Sequence, residues 1–285
     1  MAAGGGQAVI NDLWTYLTTG DHWSGKSGLG ANIVDHLTYS FIAIGLAVVI
    51  AVPLGLWIGH TGKGSTLVVG TVNASRALPT FGLMVLLYIW IAPNFTGRTN
   101  LPYIIPVELV LLLLAIPPIL SNTYAGVQSV DPAIRDAATG MGMTGGQVLG
   151  RVELPNAFPL MMSGLRAATL QVIATATIGA YIGLGGLGAP IYEGTQQGPF
   201  QDNPDSHVVT GELLSGAFLV AALALLLDLF LATIQRYTTS RGITGRYRRS
   251  HLPGPADAAV ENAEPDGGSQ EPTRTAGAAA PAAAL

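Results

Sequence analysis

Long, continuous apolar segments constrain the fold of this chain more strongly than any other feature. Five stretches are apolar enough, and at roughly 20 residues long enough, to cross the ~30 Å hydrocarbon core of a bilayer as helices. Only helices or closed barrels satisfy the backbone there, and these runs are continuous rather than alternating, which favours helices. We predict an all-α membrane protein, a bundle of about five transmembrane helices at 37–59, 66–92, 104–121, 160–182 and 213–234.

The second of these segments contains two interruptions. Arg76 and Pro79 fall near its middle, and the residue before a proline is biased away from helix. Residues 66–92 therefore form either one kinked helix or a short surface helix followed by a span. We favour the kinked helix.

The few basic residues orient the predicted bundle. Cytoplasmic loops of membrane proteins carry an excess of Lys and Arg. The connection 122–159 carries Arg135 and Arg151, whereas the loop 183–212 has acidic residues and no Lys or Arg. We therefore expect the N-terminus outside and the C-terminus in the cytoplasm, and we discount the single charge of Arg98 in an outer loop. A cluster of arginines follows the last span: Arg236, Arg241, Arg246, Arg248 and Arg249.

Composition divides the chain into a membrane domain with two polar ends. We expect an external N-terminal segment at 1–36, a transmembrane domain at 37–236, and a cytoplasmic tail at 237–285. From residue 252 the tail is mostly Ala, Pro and Gly with scattered acids, a composition that buries too little apolar surface to fold. The absence of Cys excludes disulfides and thiolate metal sites.

The segment 131–155 is a polar, structured insert between two apolar segments. Asp131 followed by Pro132 predicts a helix start, because the side chain caps the helix and proline is tolerated in the first turn. Gly140 and Gly142 predict its end, since glycine accepts a left-handed C-cap. One apolar stripe at helical spacing lies on this helix: Ile134, Ala137, Ala138 and Met141.

A second short helix follows in the same insert. Thr144 and Gln147 have the spacing of a capping box, and Pro155 is expected to limit how far this helix runs. The insert is thus predicted to be a cytoplasmic helix-turn-helix. Either it packs on the ends of its own bundle, or another protein docks on it.

The spacing of residues in this insert resembles the cytoplasmic loop of importer permeases of the ATP-binding-cassette class. That family has Glu-Ala-Ala, then Gly, then Ile-x-Leu-Pro at the same intervals. Asp replaces Glu and Val replaces Ile here, and both changes keep the chemistry. The residues that carry the resemblance, and that would form the ATPase-coupling loop, are Asp136, Ala137, Ala138, Gly142, Val152, Leu154 and Pro155.

Flanking segments resemble one branch of that class, the permeases that import glycine betaine, choline and carnitine. PPILSNTYAGVQSVDPAIRDAATGMGMT, VELPNAFPLMMSGLRAAT and ATATIGAYIGLGGLGAPI carry this likeness, which extends over about residues 35–236. The segment NASRALPTFGLMVLL departs from the family, because Arg76 stands where a neutral residue is usual. The resemblance implies the type I importer permease fold.

The resemblance also implies the partners. These are cytoplasmic ATPase subunits, a second permease that is either identical or related, an extracytoplasmic substrate-binding protein and membrane lipid, with no nucleic acid. This chain has no G-x-x-x-x-G-K-[ST] phosphate loop, so ATP is expected on the partner subunit and no cofactor on this one. The glycine-rich run 183–188 is interpreted as a flexible exit from the fourth span.

Candidates for the substrate path are fewer and less distinctive. Glu108 near the outer end of the third span would attract a cation or else snorkel to the interface. The fourth span is rich in small residues, including Thr169 and Thr175, which either permit close helix packing or line the path. Asp228 in the fifth span is expected to pair with Arg76 or Arg166.

Other functions remain as alternatives at this point. The same architecture would serve an importer of methionine, another amino acid or a sulfonate. A secondary transporter usually has repeated halves and more spans. The sequence lacks the G-x-S-x-G and His-Glu metal motifs of common enzymes, so we expect a non-catalytic subunit.

Overall fold

The computed structural model describes residues 3–77, 79–95, 99–197 and 206–238, and the elements within them are helices and turns. Short 3₁₀ turns lie at Gly20–Trp23, Ala92–Asn94 and Thr177–Ile182, and a π-helical turn lies at Leu149–Glu153. The α-helices are α1 (Ala3–Thr18), α2 (Leu29–Thr61), α3 (Ser65–Ala77), α4 (Thr80–Ile91), α5 (Leu101–Gln128), α6 (Pro132–Gly140), α7 (Gly145–Val148), α8 (Leu154–Ala176), α9 (Gly188–Gln196) and α10 (Ser206–Thr238).

Four helical stretches of the described chain are long and apolar enough to cross a membrane: Leu29–Thr61, Leu101–Gln128, Gly145–Ile182 and His207–Thr238. They confirm an all-helical membrane protein and extend beyond the predicted bounds. The 33 residues of α2 rise by about 50 Å. Because the hydrocarbon core is only ~30 Å thick, the ends of α2 project beyond it.

The prediction of one kinked helix over 66–92 is wrong. The structure has two helices there, α3 ending at Ala77 and α4 beginning at Thr80. Pro79 lies between them with an extended backbone, at φ −73° and ψ 97°. A proline disfavours the α conformation in the residue before it, which favours a break over a kink at this position. Neither helix reaches the length of the four long stretches.

Small residues bring the three central helices into close contact. Ala43 and Ala47 of α2, Ala115 of α5 and Ala168 of α8 are fully buried. A Cβ added to Gly164 of α8 would lie 2.6 Å from the carbonyl oxygen of Pro118. The packing interpretation of the small residues in the fourth span therefore holds for this face of α8.

A polar cluster joins α8 to α10. The guanidinium of Arg166 contacts both carboxylate oxygens of Asp228, at 2.8 and 2.9 Å, and donates to Gln235 Oε1 at 3.0 Å. Gln235 in turn donates to the carbonyl of Pro159 at 2.8 Å. Arg166 is thus the partner of Asp228, whereas the side chain of Arg76 lies outside the described residues.

The glycine-rich run after α8 is folded rather than a flexible exit. Gly183 and Gly186 adopt φ values of +94° and +86°, which only glycine adopts without strain. Leu184 and Leu187 between them are 4% and 0% exposed. The run is a tight turn that buries two leucines. The arginines after residue 238, Arg98 and the tail 252–285 lie outside the described residues.

Candidate coupling site

The first helix of the insert, α6, begins as its capping residues predict. Asp131 Oδ1 accepts a hydrogen bond from the backbone N–H of Ala133 at 2.9 Å, and Pro132 occupies the first turn. The apolar stripe divides along this helix. Ala138 is 2% exposed and packs inward, whereas Met141 is 73% exposed and Ala137 also faces outward. Asp136 lies on the exposed side too, so α6 is held on one face and free on the other.

A glycine turn ends α6. Gly142 adopts φ +86°, and its N–H donates to the carbonyl of Thr139 at 2.9 Å while Met143 N–H donates to that of Ala138 at 3.2 Å. Nothing lies within 4 Å of the position that a Gly142 Cβ would take. The requirement for glycine at this position therefore comes from the backbone conformation and not from crowding.

The second helix continues into the membrane segment. The capping box is present, with Thr144 N–H donating to Gln147 Oε1 at 2.9 Å. The prediction that Pro155 limits this helix is wrong, because α7 passes through the π turn 149–153 directly into α8. Pro155 occupies the first turn of α8, where the absence of an N–H group costs little because proline is tolerated at this position of a helix. Val152 and Leu154 are half-buried and Pro155 is exposed.

A buried carboxylate fixes this turn to the rest of the molecule. Glu153 is 1% exposed, and His60 Nδ1 at the end of α2 lies 2.8 Å from its Oε2. Arg135 Nε of α6 lies 3.1 Å from Oε1. That contact lacks hydrogen-bond alignment, because the guanidinium directs another nitrogen to the carbonyl of Val127 at the end of α5. We call Glu153, His60 and Arg135 the loop anchor.

The loop anchor ties three segments that are distant in sequence. It holds α6 and the π turn against the ends of α2 and α5, and Gln128 Nε2 adds a bond to the carbonyl of Gly59 at 2.8 Å. A buried carboxylate is stable only when it is paired and hydrogen-bonded, so these contacts depend on one another. The loop anchor therefore connects α6 with the ends of α2 and α5 and with the start of α8.

Sequence reasoning missed the loop anchor. Glu153 occupies the unspecified position of the Val-x-Leu-Pro pattern, and no motif in the sequence includes His60. The signal was present nonetheless. A carboxylate placed directly before an apolar span requires a partner, and His60 and Arg135 are polar residues at helix ends of the same side.

The three candidates for the substrate path do not form one cluster. Both carboxylate oxygens of Glu108 are buried and lack a hydrogen-bond partner among the described residues. Thr169 is 3% exposed and donates to the carbonyl of Leu165 at 2.9 Å, and Thr175 is half-buried. No hydrogen bond joins any two of these three side chains, all of which lie in the described part of the chain. Of the three, Glu108 alone has buried polar atoms without a hydrogen-bond partner among the described residues.

The chain is similar to known transport proteins. A carnitine transport permease protein from Listeria monocytogenes is 35% identical over 209 residues, covering 73% of this chain and 87% of that protein. A glycine betaine/carnitine/choline transport system permease protein from Bacillus subtilis is 32% identical over 237 residues, covering 83% of this chain and 98% of that protein.

Solved structures agree on the fold. The permease fold of the inward-facing MetNI methionine transporter matches with a TM-score of 0.59 at 22% identity, over 74% of this chain and 96% of that chain. The family model described as the binding-protein-dependent transport system inner membrane component matches residues 51–241, which include the whole helix-turn-helix insert. This chain belongs to that family of ATP-binding-cassette importer permeases.

Proposed function

We propose that this chain is the membrane subunit of an ATP-driven importer of quaternary-ammonium osmoprotectants such as glycine betaine, choline and carnitine. The geometry of the insert 131–153 supports coupling to an ATPase, and the similarity to carnitine and glycine betaine/carnitine/choline permeases supports the cargo. One face of α6 is exposed, while the loop anchor fixes the opposite side to three membrane helices. Such an element both receives a partner and transmits its movement.

The proposed orientation follows from where this insert lies. The insert carries Arg135 and Arg151, and excess basic charge favours the cytoplasmic side. The opposite end of α2 then faces outward, as does the acidic loop that contains α9. We infer an external N-terminus and a cytoplasmic C-terminus.

The ATPase partner is assigned to the exposed face of α6. Asp136, Ala137 and Met141 give this face an apolar centre beside one carboxylate. Helices with an apolar face commonly dock in grooves of a partner. A cytoplasmic ATPase that binds this face and closes on ATP would pull α6, and the loop anchor would pass the movement to α2, α5 and α8 as a rigid-body switch.

The remaining partners follow from the number of spans and from the family. The described part of the chain has four long apolar helices and two shorter apolar ones. These enclose a path poorly, so a second permease, identical or related, completes it. An extracytoplasmic binding protein delivers substrate, and ATP is hydrolysed on the partner subunit. The Glu108 carboxylate in α5 has no hydrogen-bond partner among the described residues. It is suited to contact a passing cation, since ionisable groups in spans are functional candidates.

Reconstitution tests this function directly. The chain is incorporated in proteoliposomes with its ATPase, its second permease and its binding protein, and uptake of labelled glycine betaine, choline, carnitine and methionine is measured. We expect uptake of quaternary-ammonium compounds that requires ATP and persists when ion gradients are collapsed. Uptake of methionine alone would refute the proposed cargo. Uptake driven by an ion gradient would refute the proposal that the importer is driven by ATP.

A further inference from the structure

A polar side chain is exposed inside the third long apolar stretch. Gln171 of α8 faces outward and lies eleven residues from each end of the predicted span 160–182. Eleven helical residues rise by roughly 16 Å. Since the hydrocarbon core is ~30 Å thick, the Gln171 amide lies within it, where lipid offers no hydrogen-bond partner.

Three exposed hydroxyl side chains in the long stretches are satisfied by their own helix, and Gln171 is not. Thr38 of α2, Ser163 of α8 and Thr233 of α10 each donate to the carbonyl four residues earlier, at 2.7 to 3.1 Å. The Gln171 amide makes no hydrogen bond within the part of the chain that the structure describes. A polar group left without a partner in an apolar medium is costly, so lipid alone does not cover this face of α8.

The exposed faces of the other long helices have a different composition. α2 exposes Phe41 and Leu46, and α10 exposes Leu225 and Leu229. Large apolar side chains of this kind are stable against lipid tails, which are as apolar as leucine. These faces of α2 and α10 require no protein partner in a bilayer, whereas the face of α8 around Gln171 requires one.

The neighbours of Gln171 allow another helix to approach closely. Ala167 and Ala174 lie about one turn before it and one turn after it on the same face, and both are exposed. Gly164, by contrast, packs against α5 inside the same chain. Small residues beside a polar one are typical of contacts between transmembrane helices, where a glutamine side chain hydrogen-bonds across the interface.

The rest of this side of α8 is too apolar for the wall of a water-filled path. Leu160 and Leu170 are exposed there, next to the two alanines. One amide among leucines and alanines gives water few partners, whereas a second helix with a facing polar group satisfies the amide and covers the apolar surface.

We infer that the face formed by Ala167, Gln171 and Ala174 packs against a second copy of this chain, a contact that rests on the proposed function because it presumes a second permease. An amide side chain both donates and accepts. About a two-fold axis the same patch meets itself, so the Gln171 amide of one copy pairs with that of the other. We call this the α8 contact.

Photo-cross-linking in the whole transporter tests the α8 contact. Because the chain contains no cysteine, Ala174→Cys introduces a single thiol beside Gln171. A benzophenone is attached to this thiol and irradiated in membranes that contain the assembled transporter. We expect a covalent dimer of this chain, identified by mass spectrometry. Leu225→Cys, on the exposed apolar face of α10, is the matched control and is expected to give adducts with lipid only.

Three results of this experiment would overturn the α8 contact. A link from residue 174 to a related permease would show that the partner is not a second copy. Adducts with lipid alone would show that the face lies in the bilayer. Fast reaction of the thiol with a membrane-impermeant reagent, without a dimer link, would show that the face lines a water-filled path.

Replacement of the amide measures its share of the contact. Gln171→Leu keeps the bulk of the side chain and gains nothing against lipid, so it removes the hydrogen bond across the interface. We expect the assembled transporter to dissociate at about threefold higher concentration in detergent for each hydrogen bond lost. Leu225→Ala is expected to leave dissociation unchanged. Equal dissociation of Gln171→Leu and the wild type would refute the pairing of the two amides.

Failure of the α8 contact is separable from failure of the proposed function. Uptake of labelled glycine betaine, choline and carnitine is measured in parallel with the unlabelled Ala174→Cys transporter. Uptake of these compounds without a dimer link would refute the α8 contact alone. A dimer link without such uptake would support the α8 contact and refute the proposed cargo.

Discussion

Replacement of Glu153 by glutamine is the sharpest perturbation of the loop anchor. Glu153→Gln keeps the shape of the side chain and removes its charge, so the contacts to His60 at 2.8 Å and Arg135 at 3.1 Å lose their electrostatic part. Hydrogen bonds to charged groups contribute ~1.5–3 kcal/mol and neutral ones ~0.5–1.5 kcal/mol. The difference is about 1 kcal/mol for each contact.

Solvent access reduces this estimate. Arg135 and His60 are 24% and 29% exposed, and the Arg135 contact is not an aligned hydrogen bond. We therefore expect the free energy that holds α6 against the membrane helices to fall by about 1–2 kcal/mol in total. At 1.4 kcal/mol for each factor of ten, the detached state becomes roughly 5- to 30-fold more populated.

Hydrogen exchange of the isolated permease measures that population. The amides of residues 133–153 are expected to exchange roughly 5- to 30-fold faster in Glu153→Gln, while those of α5 near Leu111 stay protected. Arg151→Gln, which removes an exposed charge from the same π turn, serves as the control and is expected to change nothing. Equal exchange of the insert in wild type and Glu153→Gln would refute the role of the loop anchor.

Three further predictions concern the insert and the α8–α10 contact. Met141→Asp changes an exposed residue and is expected to abolish co-purification of the ATPase while the permease stays folded. Ala138→Asp, at a buried position, is expected to detach α6 itself. Circular dichroism together with affinity pull-down distinguishes the two effects, and retention of the ATPase by both variants would contradict the prediction. Gly142→Ala forces a non-glycine residue to φ +86°, costs about 1–2 kcal/mol and is expected to lower ATP-driven uptake without lowering expression; unchanged uptake would argue against the glycine turn. Asp228→Asn leaves the Arg166 guanidinium without a charged partner and is expected to weaken the packing of α10 on α8 by about 1–3 kcal/mol. The midpoint of thermal inactivation in detergent is expected to fall, and the exchanged pair Arg166→Asp/Asp228→Arg is expected to restore it in part. An unchanged midpoint in Asp228→Asn would show that the pair is dispensable.

Sequence patterns predicted the local features of the insert because these depend on neighbouring residues. A cap such as Asp131, a capping box such as Thr144 with Gln147, and a left-handed position such as Gly142 require only the residues around them. All three are present as predicted.

Features that depend on distant contacts were not predictable in the same way. The helix break at Pro79 replaced an expected kink, because whether a proline kinks or ends a helix depends on what the two halves pack against. The loop anchor joins residues up to 93 positions apart, and no local pattern records such a pairing. The turn 183–188 appeared flexible from its glycines alone, although its leucines are buried by neighbouring helices.

Cross-linking provides a direct test of whether the exposed face of α6 docks on the ATPase. Because the chain contains no cysteine, Met141→Cys introduces a single thiol on that face, and Asp21→Cys introduces one at the opposite end. In membranes that contain the assembled transporter, we predict that a short reagent with one thiol-reactive and one photoreactive end joins residue 141 to the ATPase. The yield is expected to change when ATP binds, and residue 21 is expected to form no such link. A thiol at residue 141 that forms no cross-link to the ATPase, while the complex transports at the wild-type rate, would contradict the account.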